Sequence, residues 1–460
     1  MDLKTQRSTW IDRLQPHHPN WKRLVIVVGV LALSVQWVRV AAEPRGDFKL
    51  HWELGRRMSA GEFIYAANAD SSGDQRGHDY PYPAFWGLAH VPLTIMSPRV
   101  AQVVVFPTIF VSLIGLLFVL DRLTRKWLPL TRDQRFWATT CAVFLTSRFI
   151  VRDAPECGVN LALVCLSWIG VYLWTRRREW FAGLSLGLAM ALKCTPALFL
   201  AYFVWKRQWK MVATTTVAAA AFTLAPVALM GPTDYSRTVQ FWFAHAWDGV
   251  GQTDPSIGVL GEEPFQNLSL RPSMARFLMH LPEGHRSRLD HPLFLDFLDL
   301  NPRMAGLLIK GALVCLLASV AWAFRGPVTR RDDLSILWEC ATVSVLILLF
   351  SPITWGQHCV GVLPVLYLVT RTVWAKTGLT RWAYGPLGAY VFFVLVLNRE
   401  LVGKQFSWLL DSYHAHTWCF LGLTFVAVMC HRQCGRVSSS RISRPTLQQP
   451  GGQDVVKSAA

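Results

Sequence analysis

The segment VIVVGVLALSVQWVRVAA (25–42) followed by EPRGDFKLHWELGRRMSAGEFIYA (43–66) decides the fold. The first part is apolar over nearly the length needed to cross a hydrocarbon core, about 20 helical residues. The second part turns abruptly polar and places Asp47 a few residues beyond the membrane edge. A cleaved secretory leader is a poor reading of the first run, because no small-residue cleavage pattern follows and further apolar runs do. The segment is an anchor and a first span.

The same signal recurs along the chain. Apolar runs occupy 24–42, 100–120, 137–150, 158–174, 181–204, 211–230, 304–324, 335–350, 358–374, 382–398 and 416–430. With 460 residues, 52% hydrophobic and 16% charged, this is the composition of an integral membrane protein and not of a soluble globule. The expected fold is all-α and polytopic, with about 11–12 spans and broken helices. It divides into a cytoplasmic segment 1–23, a membrane domain 24–430 and a disordered cytoplasmic tail 431–460. The tail, rich in Ser, Pro, Gly and Gln, has no apolar period.

Charge sets the orientation. Lys4, Arg7, Arg13, Lys22 and Arg23 precede the first span and predict a cytoplasmic N-terminus. RLTRKWLPLTRDQR (122–135), RRR (176–178), KRQWK (206–210), RGPVTRR (325–331) and RTVWAKTGLTR (371–381) are short, basic and expected on the same side. They fall there if PYPAFWGLAHVPLTIM (81–96) is interfacial or re-entrant and if 181–204 is a pair of half-helices. A true crossing at 83–97 is the alternative, and it would put 122–135 outside. Loops 43–99 and 231–303 then face outward, and the C-terminus is cytoplasmic. The net charge of +17 follows from basic loops on an anionic leaflet and calls for no nucleic acid. The partner it implies is the lipid bilayer, for a multi-pass protein of the bacterial cytoplasmic membrane.

The ten cysteines lie mostly in apolar runs and give no disulfide framework. CHRQC (430–434) has metal-like spacing but lacks further ligands nearby. No cofactor is required by the sequence, and divalent-metal assistance stays an open alternative.

Candidate site residues gather at the outward ends of spans. Asp47 is either a general base whose basicity is raised at the membrane edge or a solvated carboxylate neutralised by Arg45 or Lys49. His51, four residues on, shares its face on a helix. Arg56 and Arg57 are either phosphate contacts or snorkelling surface cations. Asp79 and Tyr80, just before Pro81 and Pro83, are secondary candidates.

Lys193, in AMALKCTPALF, is costly inside a span unless it meets an anion or marks a turn between half-helices. Asn160 is a helix cap or a weaker site candidate. The break SPITWGQHCV (351–360) offers Trp355 and His358, the latter as a phosphate or hydrogen-bond contact. The second loop carries Trp242, Asp254, Glu263, Asn267 and Arg271, an aromatic and polar mixture suited to sugars or headgroups.

Ordered along the chain, GDF (46–48), GEFIYA (61–66), YPYPAFWGLAHVPL (80–93), NLAL (160–163), AGLSLGLAMALKCTPALF (182–199), WKRQWK (205–210), QNLSLRPSMARFL (266–278) and SPITWGQHCVGVLPVLYL (351–368) form a pattern. That pattern resembles the polyprenyl-phosphate-dependent membrane glycosyltransferases of the GT-C class, specifically glycosyltransferase family 87, which includes mycobacterial mannosyltransferases. The resemblance covers about 24–400. It implies a polyprenyl-phosphate sugar donor, a glycolipid or glycan acceptor, Asp47 as catalytic base, and Lys193, His358, Asn267 and Arg271 as donor or substrate contacts. It further implies transfer of a hexosyl residue, mannose first, with inversion. One departure stands out: where many members have Gly-Gln before the asparagine, this chain has ECGVN (156–160), which weakens a transferred role for Asn160.

The rival class is a transporter or headgroup flippase, favoured by broken helices and Lys193 but lacking a matched repeat. A purely structural membrane protein would leave the outward polar residues without a use.

Overall fold

The computed structural model describes residues 19–43, 46–65, 82–259 and 261–442. Among these, the departure from helix and loop is a two-stranded antiparallel ribbon, β1 (Ile257–Gly258) and β2 (Gly261–Glu262), with Ile257 opposite Glu262. The fold is all-α, as the apolar runs predict.

The first helix, α1 (Pro19–Ala42), keeps most of its apolar side chains facing outward: Leu31 and Val38 are 57% and 68% exposed. Such a surface is stable only against lipid. Among the described residues, Asn20–Ala42, Pro98–Thr124 and Pro302–Ala323 are long and apolar enough to cross a membrane unaided. Two bent pairs, Trp209–Leu224 with Val227–Gly251 and Lys404–Ser412 with Ala415–Cys434, raise that to five if each pair is one span. Five further apolar helices among the described residues, Ala84–Ile95, Val159–Thr175, Glu179–Leu192, Leu334–Phe350 and His358–Trp374, have 10–17 residues. They are shorter than a full crossing, and several of them are the buried centre of the bundle.

These inner helices are α7 (Val159–Thr175), α8 (Glu179–Leu192), α14 (Leu334–Phe350) and α15 (Leu363–Trp374), numbered in chain order. Trp168 on α7 and Trp338 on α14 are fully buried, and the Trp168 indole donates to Ser344 Oγ at 3.1 Å. An indole N–H without a partner there would carry a desolvation cost, so the serine fixes which face of α14 meets α7. Gly183 and Gly187 let α10 (Trp209–Leu224) approach α8 closely: a Cβ on Gly187 would sit 2.7 Å from that of Ala218. Small residues at a crossing are the means by which membrane helices pack backbone to backbone.

Segment 84–95 is a short α-helix, α3 (Ala84–His90), continued by a 3-10 turn (Val91–Ile95) and packed against α2 (Phe48–Ser59). It is too short to span about 30 Å of hydrocarbon. The run 181–204 is broken as expected, α8 ending at Leu192 and α9 (Ala197–Trp205) starting after Pro196. The last helix, α19 (Ala415–Ile442), continues beyond residue 430, where the sequence places the end of the membrane domain.

The five basic loops meet at one end of the bundle. Arg371 pairs with Asp121 at 3.0 Å and donates to the Leu128 carbonyl, Lys126 pairs with Asp332, and Arg331 pairs with Glu179. Lys206 reaches the carbonyls of Phe324 and Gly326. From that end α6 (Arg132–Asp153), opened by a Thr131 capping box, runs 22 residues, about 33 Å at 1.5 Å per residue, to Asp153. α7 returns from Asn160, α8 climbs to Lys193 and α14 climbs to Ser351. Asp153, Asn160, Lys193 and Ser351 therefore share the opposite end.

Candidate functional site

At that opposite end lies a cavity of about 800 Å³, lined by Asp47, His51, Tyr82, Lys193, Trp242, Trp355 and His358 among others. Its floor is made by interrupted helices, where backbone and polar side chains are released from the helical ladder.

Asp47 is the N-cap of α2, yet its carboxylate makes no capping bond. The N-terminus of α2 is instead held from below: the Asp47 amide donates to both carboxylate oxygens of Glu156 at 3.1 Å each. Gly46 makes this possible, with φ of 69° and an approach so close that a Cβ would lie 2.3 Å from Glu156 Oε1. The side chain of Asp47 is thus left facing the cavity. Partial burial raises its pKa above the usual carboxylate value, while the Lys193 charge opposes the rise.

Lys193 ends α8 in extended conformation (φ −152°, ψ 127°), which turns its side chain out of the helix. Nζ lies 2.9 Å from His358 Nε2 and 3.3 Å from Asn160 Oδ1, and 5.5 Å from the centre of the Tyr82 ring. His358 Nδ1 lies 3.1 Å from the Trp355 amide nitrogen; a neutral imidazole has a single acceptor nitrogen, which is Nε2 when it takes the proton of the Lys193 ammonium. Asn160 Nδ2 in turn donates to Asp153 at 2.7 Å, and Asp153 also accepts from the Asn160 and Leu161 amides. A continuous chain of bonds joins the ends of α6, α7 and α8 to the break before α15. An ammonium is thereby fixed at the cavity wall with an acidic residue behind it, the arrangement that suits an incoming anion.

In ECGVN the glycine of the family pattern is retained and the departure falls on Val159, where the structure gives no reason against a glutamine. Gly158 has φ of 72° and a Cβ there would meet Ile109 Cα at 2.5 Å, while Asp153 accepts from the first amides of α7.

His51 is buried, its ring 5.0 Å from both Tyr82 and Trp86, and neither ring nitrogen has a hydrogen-bond partner. Burial, then the nearby His90 and Lys193, hold it well below the usual histidine pKa and so neutral.

Other sequence candidates are placed elsewhere. Arg56 is taken up by Glu53 and Glu62, both at 2.8 Å, and Arg57 by Glu53 at 3.1 Å; neither lines the cavity. Their i,i+3 and i,i+4 spacing from Glu53 explains this, since neighbouring charges on one helix pair before they reach out. Arg271 donates to the carbonyls of Gly249, Gln252 and Asp254, fastening the loop after α11 (Val227–Gly251). Asn267 is a clamp, not a free contact: Nδ2 donates to Glu263 and to the Pro352 carbonyl, and Oδ1 accepts from the Ser269 and Thr354 amides. All four of its hydrogen-bonding positions are used within the fold. Asp79 and Tyr80 lie outside the described residues.

The cavity also gathers residues that the sequence reading passed over: Tyr82, Arg152, Gln266 and Asp411 in its wall, with Asp153 and Glu156 just behind. The signal for three of them was present in RDAPECGVN (152–160), a charged cluster at the end of an apolar run. Among the described residues, no group of three or more His, Cys, Asp or Glu is disposed to hold a metal. In CHRQC, His431 Nδ1 lies 3.2 Å from the Ser335 carbonyl, at the far end from the cavity.

Comparison with known proteins adds the following. The profile of glycosyltransferase family 87 matches residues 80–352. A polyprenol-phosphate-mannose-dependent alpha-(1-2)-phosphatidylinositol mannoside mannosyltransferase of Mycolicibacterium smegmatis is 27% identical over 451 residues, 91% of this chain and 90% of the relative. A polyprenol-phosphate-mannose-dependent alpha-(1-2)-phosphatidylinositol pentamannoside mannosyltransferase of the same organism is 25% identical over 373 residues, 78% and 76% of the two chains. The crystal structure of ArnT from Cupriavidus metallidurans in the apo state covers 92% of this chain and 78% of its own, at 14% identity and a TM-score of 0.38, too loose a likeness to bear on the site.

Proposed function

This chain belongs to glycosyltransferase family 87 and is a glycosyltransferase, and from that premise we propose that it moves a hexosyl residue, mannose first, from a polyprenyl-phosphate sugar to a hydroxyl of a glycolipid or glycan. The names of the relatives, dependent on polyprenol-phosphate-mannose and acting on phosphatidylinositol mannosides, support the donor and the class of acceptor. The reaction takes place at the outward face of the cytoplasmic membrane, with both termini inside. What supports this orientation is the gathering of the basic loops at the end away from the cavity.

One observation carries the reading: Asp47 and the Lys193–His358 pair line the same cavity. Asp47 accepts the proton of the acceptor hydroxyl as that oxygen attacks the anomeric carbon. The bond from that carbon to the phosphate oxygen breaks, and polyprenyl phosphate leaves carrying the electron pair. Lys193, held by His358 and Asn160, faces the negative charge that grows on the departing phosphate. A single displacement of this kind inverts the anomeric centre without a covalent sugar intermediate. Arg152, also in the wall, is a second cation available to the phosphate. Arg56, Arg57 and Arg271 are spent on protein partners and are given no such role.

The test is transfer from synthetic polyprenyl-phosphate-mannose into a membrane glycolipid pool by purified wild-type protein and Asp47→Asn, both checked for equal folding. Product from the wild type that disappears in the variant is the expected result. Equal product from both would remove Asp47 from the role of base.

A further inference from the structure

The Glu156 carboxylate sits beneath the loop that carries Asp47, and nothing in the transfer chemistry requires a second acid there. It is buried, on a turn between α6 and α7, and both its oxygens point at one backbone N–H. The space it fills exists because residue 46 is glycine. We propose that Glu156 is a positioning residue: by accepting the Asp47 amide it fixes the N-terminus of α2 and hence the direction in which the Asp47 carboxylate faces the cavity.

Three observations converge on this. The link joins residues 109 apart in sequence and ties the Asp47 turn to the α6–α7 turn, next to which Asp153, Asn160 and Lys193 are bonded to one another. It acts on a donor that α2 cannot satisfy internally, because the first amides of a helix have no intrahelical acceptor. And it leaves the Asp47 side chain uncommitted, whereas an N-cap aspartate ordinarily folds back onto its own helix. Burial, followed by the neighbouring Asp47 and Asp153, pushes Glu156 up to about 8, so near neutral pH it supports Asp47 without setting a second full negative charge beside it.

The inference rests on Asp47 as base, and its test separates the two. The variants are Glu156→Ala, Glu156→Gln, which keeps a carbonyl acceptor, Gly46→Ala, which drives a Cβ into the carboxylate, and Asp47→Asn. Hydrogen–deuterium exchange of the segment 46–52 needs no substrate and is measured first, alongside the melting temperature. Exchange is expected to quicken in Glu156→Ala and Gly46→Ala and to be largely restored in Glu156→Gln. In the transfer assay, Glu156→Ala and Gly46→Ala are expected to lose about 100-fold in kcat, the scale of an ångström misplacement of a catalytic group, with donor KM held. Glu156→Gln is expected to recover to within about tenfold of wild type, the worth of one hydrogen bond. Unchanged exchange in Glu156→Ala, or a kcat equal to wild type, overturns the positioning role. An active Asp47→Asn overturns the base assignment instead, while the exchange result still decides whether Glu156 holds this turn.

Discussion

Lys193 Nζ lies 2.9 Å from His358 Nε2, a contact across 165 residues that ties the break after α8 to the break before α15. Each break alone would be an expensive interruption of a membrane helix. Together they place a cation where a phosphate would arrive. Lys193→Met is expected to lower kcat for transfer by about 10²–10³-fold, the usual loss when one preorganised charge-stabilising donor is removed. Lys193→Arg should restore only part of it, because a planar fork does not reproduce the ammonium contact with His358. Steady-state kinetics with kcat and donor KM resolved separately would check this. A Lys193→Met enzyme with wild-type kcat would rule the role out.

The pH dependence of transfer should carry the mark of the same lysine. Asp47 works as a base only when ionised, and burial has raised its pKa above the ordinary 3.8. Activity is therefore expected to rise with pH through that elevated value and to fall as acid protonates the carboxylate. Lys193 opposes the elevation, so removing its charge must raise the Asp47 pKa further. The acid limb of kcat/KM in Lys193→Met should move to higher pH than in the wild type, and a limb displaced downward would contradict the proximity of the two groups.

Asn267 offers a way to tell a clamp from a substrate contact. Its amide bonds hold Glu263 and the 352–354 backbone, and Asn267, Glu263 and Thr354 are buried. Asn267→Ala leaves several of these groups without partners, at about 1–3 kcal/mol each, so a marked drop in melting temperature is expected. Donor KM of the protein that remains folded should stay near wild type. A KM rise of tenfold with no loss of stability would return Asn267 to the phosphate.

The all-α membrane fold and the broken 181–204 segment were legible from apolar run length and from Pro196, because both depend on local composition. Asp47, Lys193 and His358 stood out because charged or polar residues at span ends have few structural excuses, and the structure sets all three in the wall of one cavity. For Arg56, Arg57 and Arg271 the partners were not legible: an arginine advertises phosphate binding, but the sequence does not say which carboxylates or carbonyls reach it first. Glu53 and the 249–254 carbonyls do. Glu156 was invisible because its partner is a backbone amide 109 residues away, a relation with no periodic or compositional trace.

Far from the cavity, Lys206 and Glu339 form an ion pair at 2.8 Å with both side chains 2% exposed. The lysine also donates to the carbonyls of Phe324 and Gly326, and Tyr202 donates to the carboxylate at 2.7 Å, so both charges are fully supplied with partners. Such a pair adds little over a well-packed apolar pair, but losing one member strands the other in a dry interior. Glu339→Leu is expected to cost about 3–5 kcal/mol and to lower the melting temperature in detergent. Lys206→Met combined with Glu339→Leu should recover most of that loss, because no charge is left unpaired. Since the pair sits at the end where the basic loops meet, kcat per folded molecule should not change in either variant. If the double variant is less stable than Glu339→Leu alone, the pair is holding the Phe324–Gly326 turn through the lysine itself, and the ionic contact is secondary to those two carbonyl bonds.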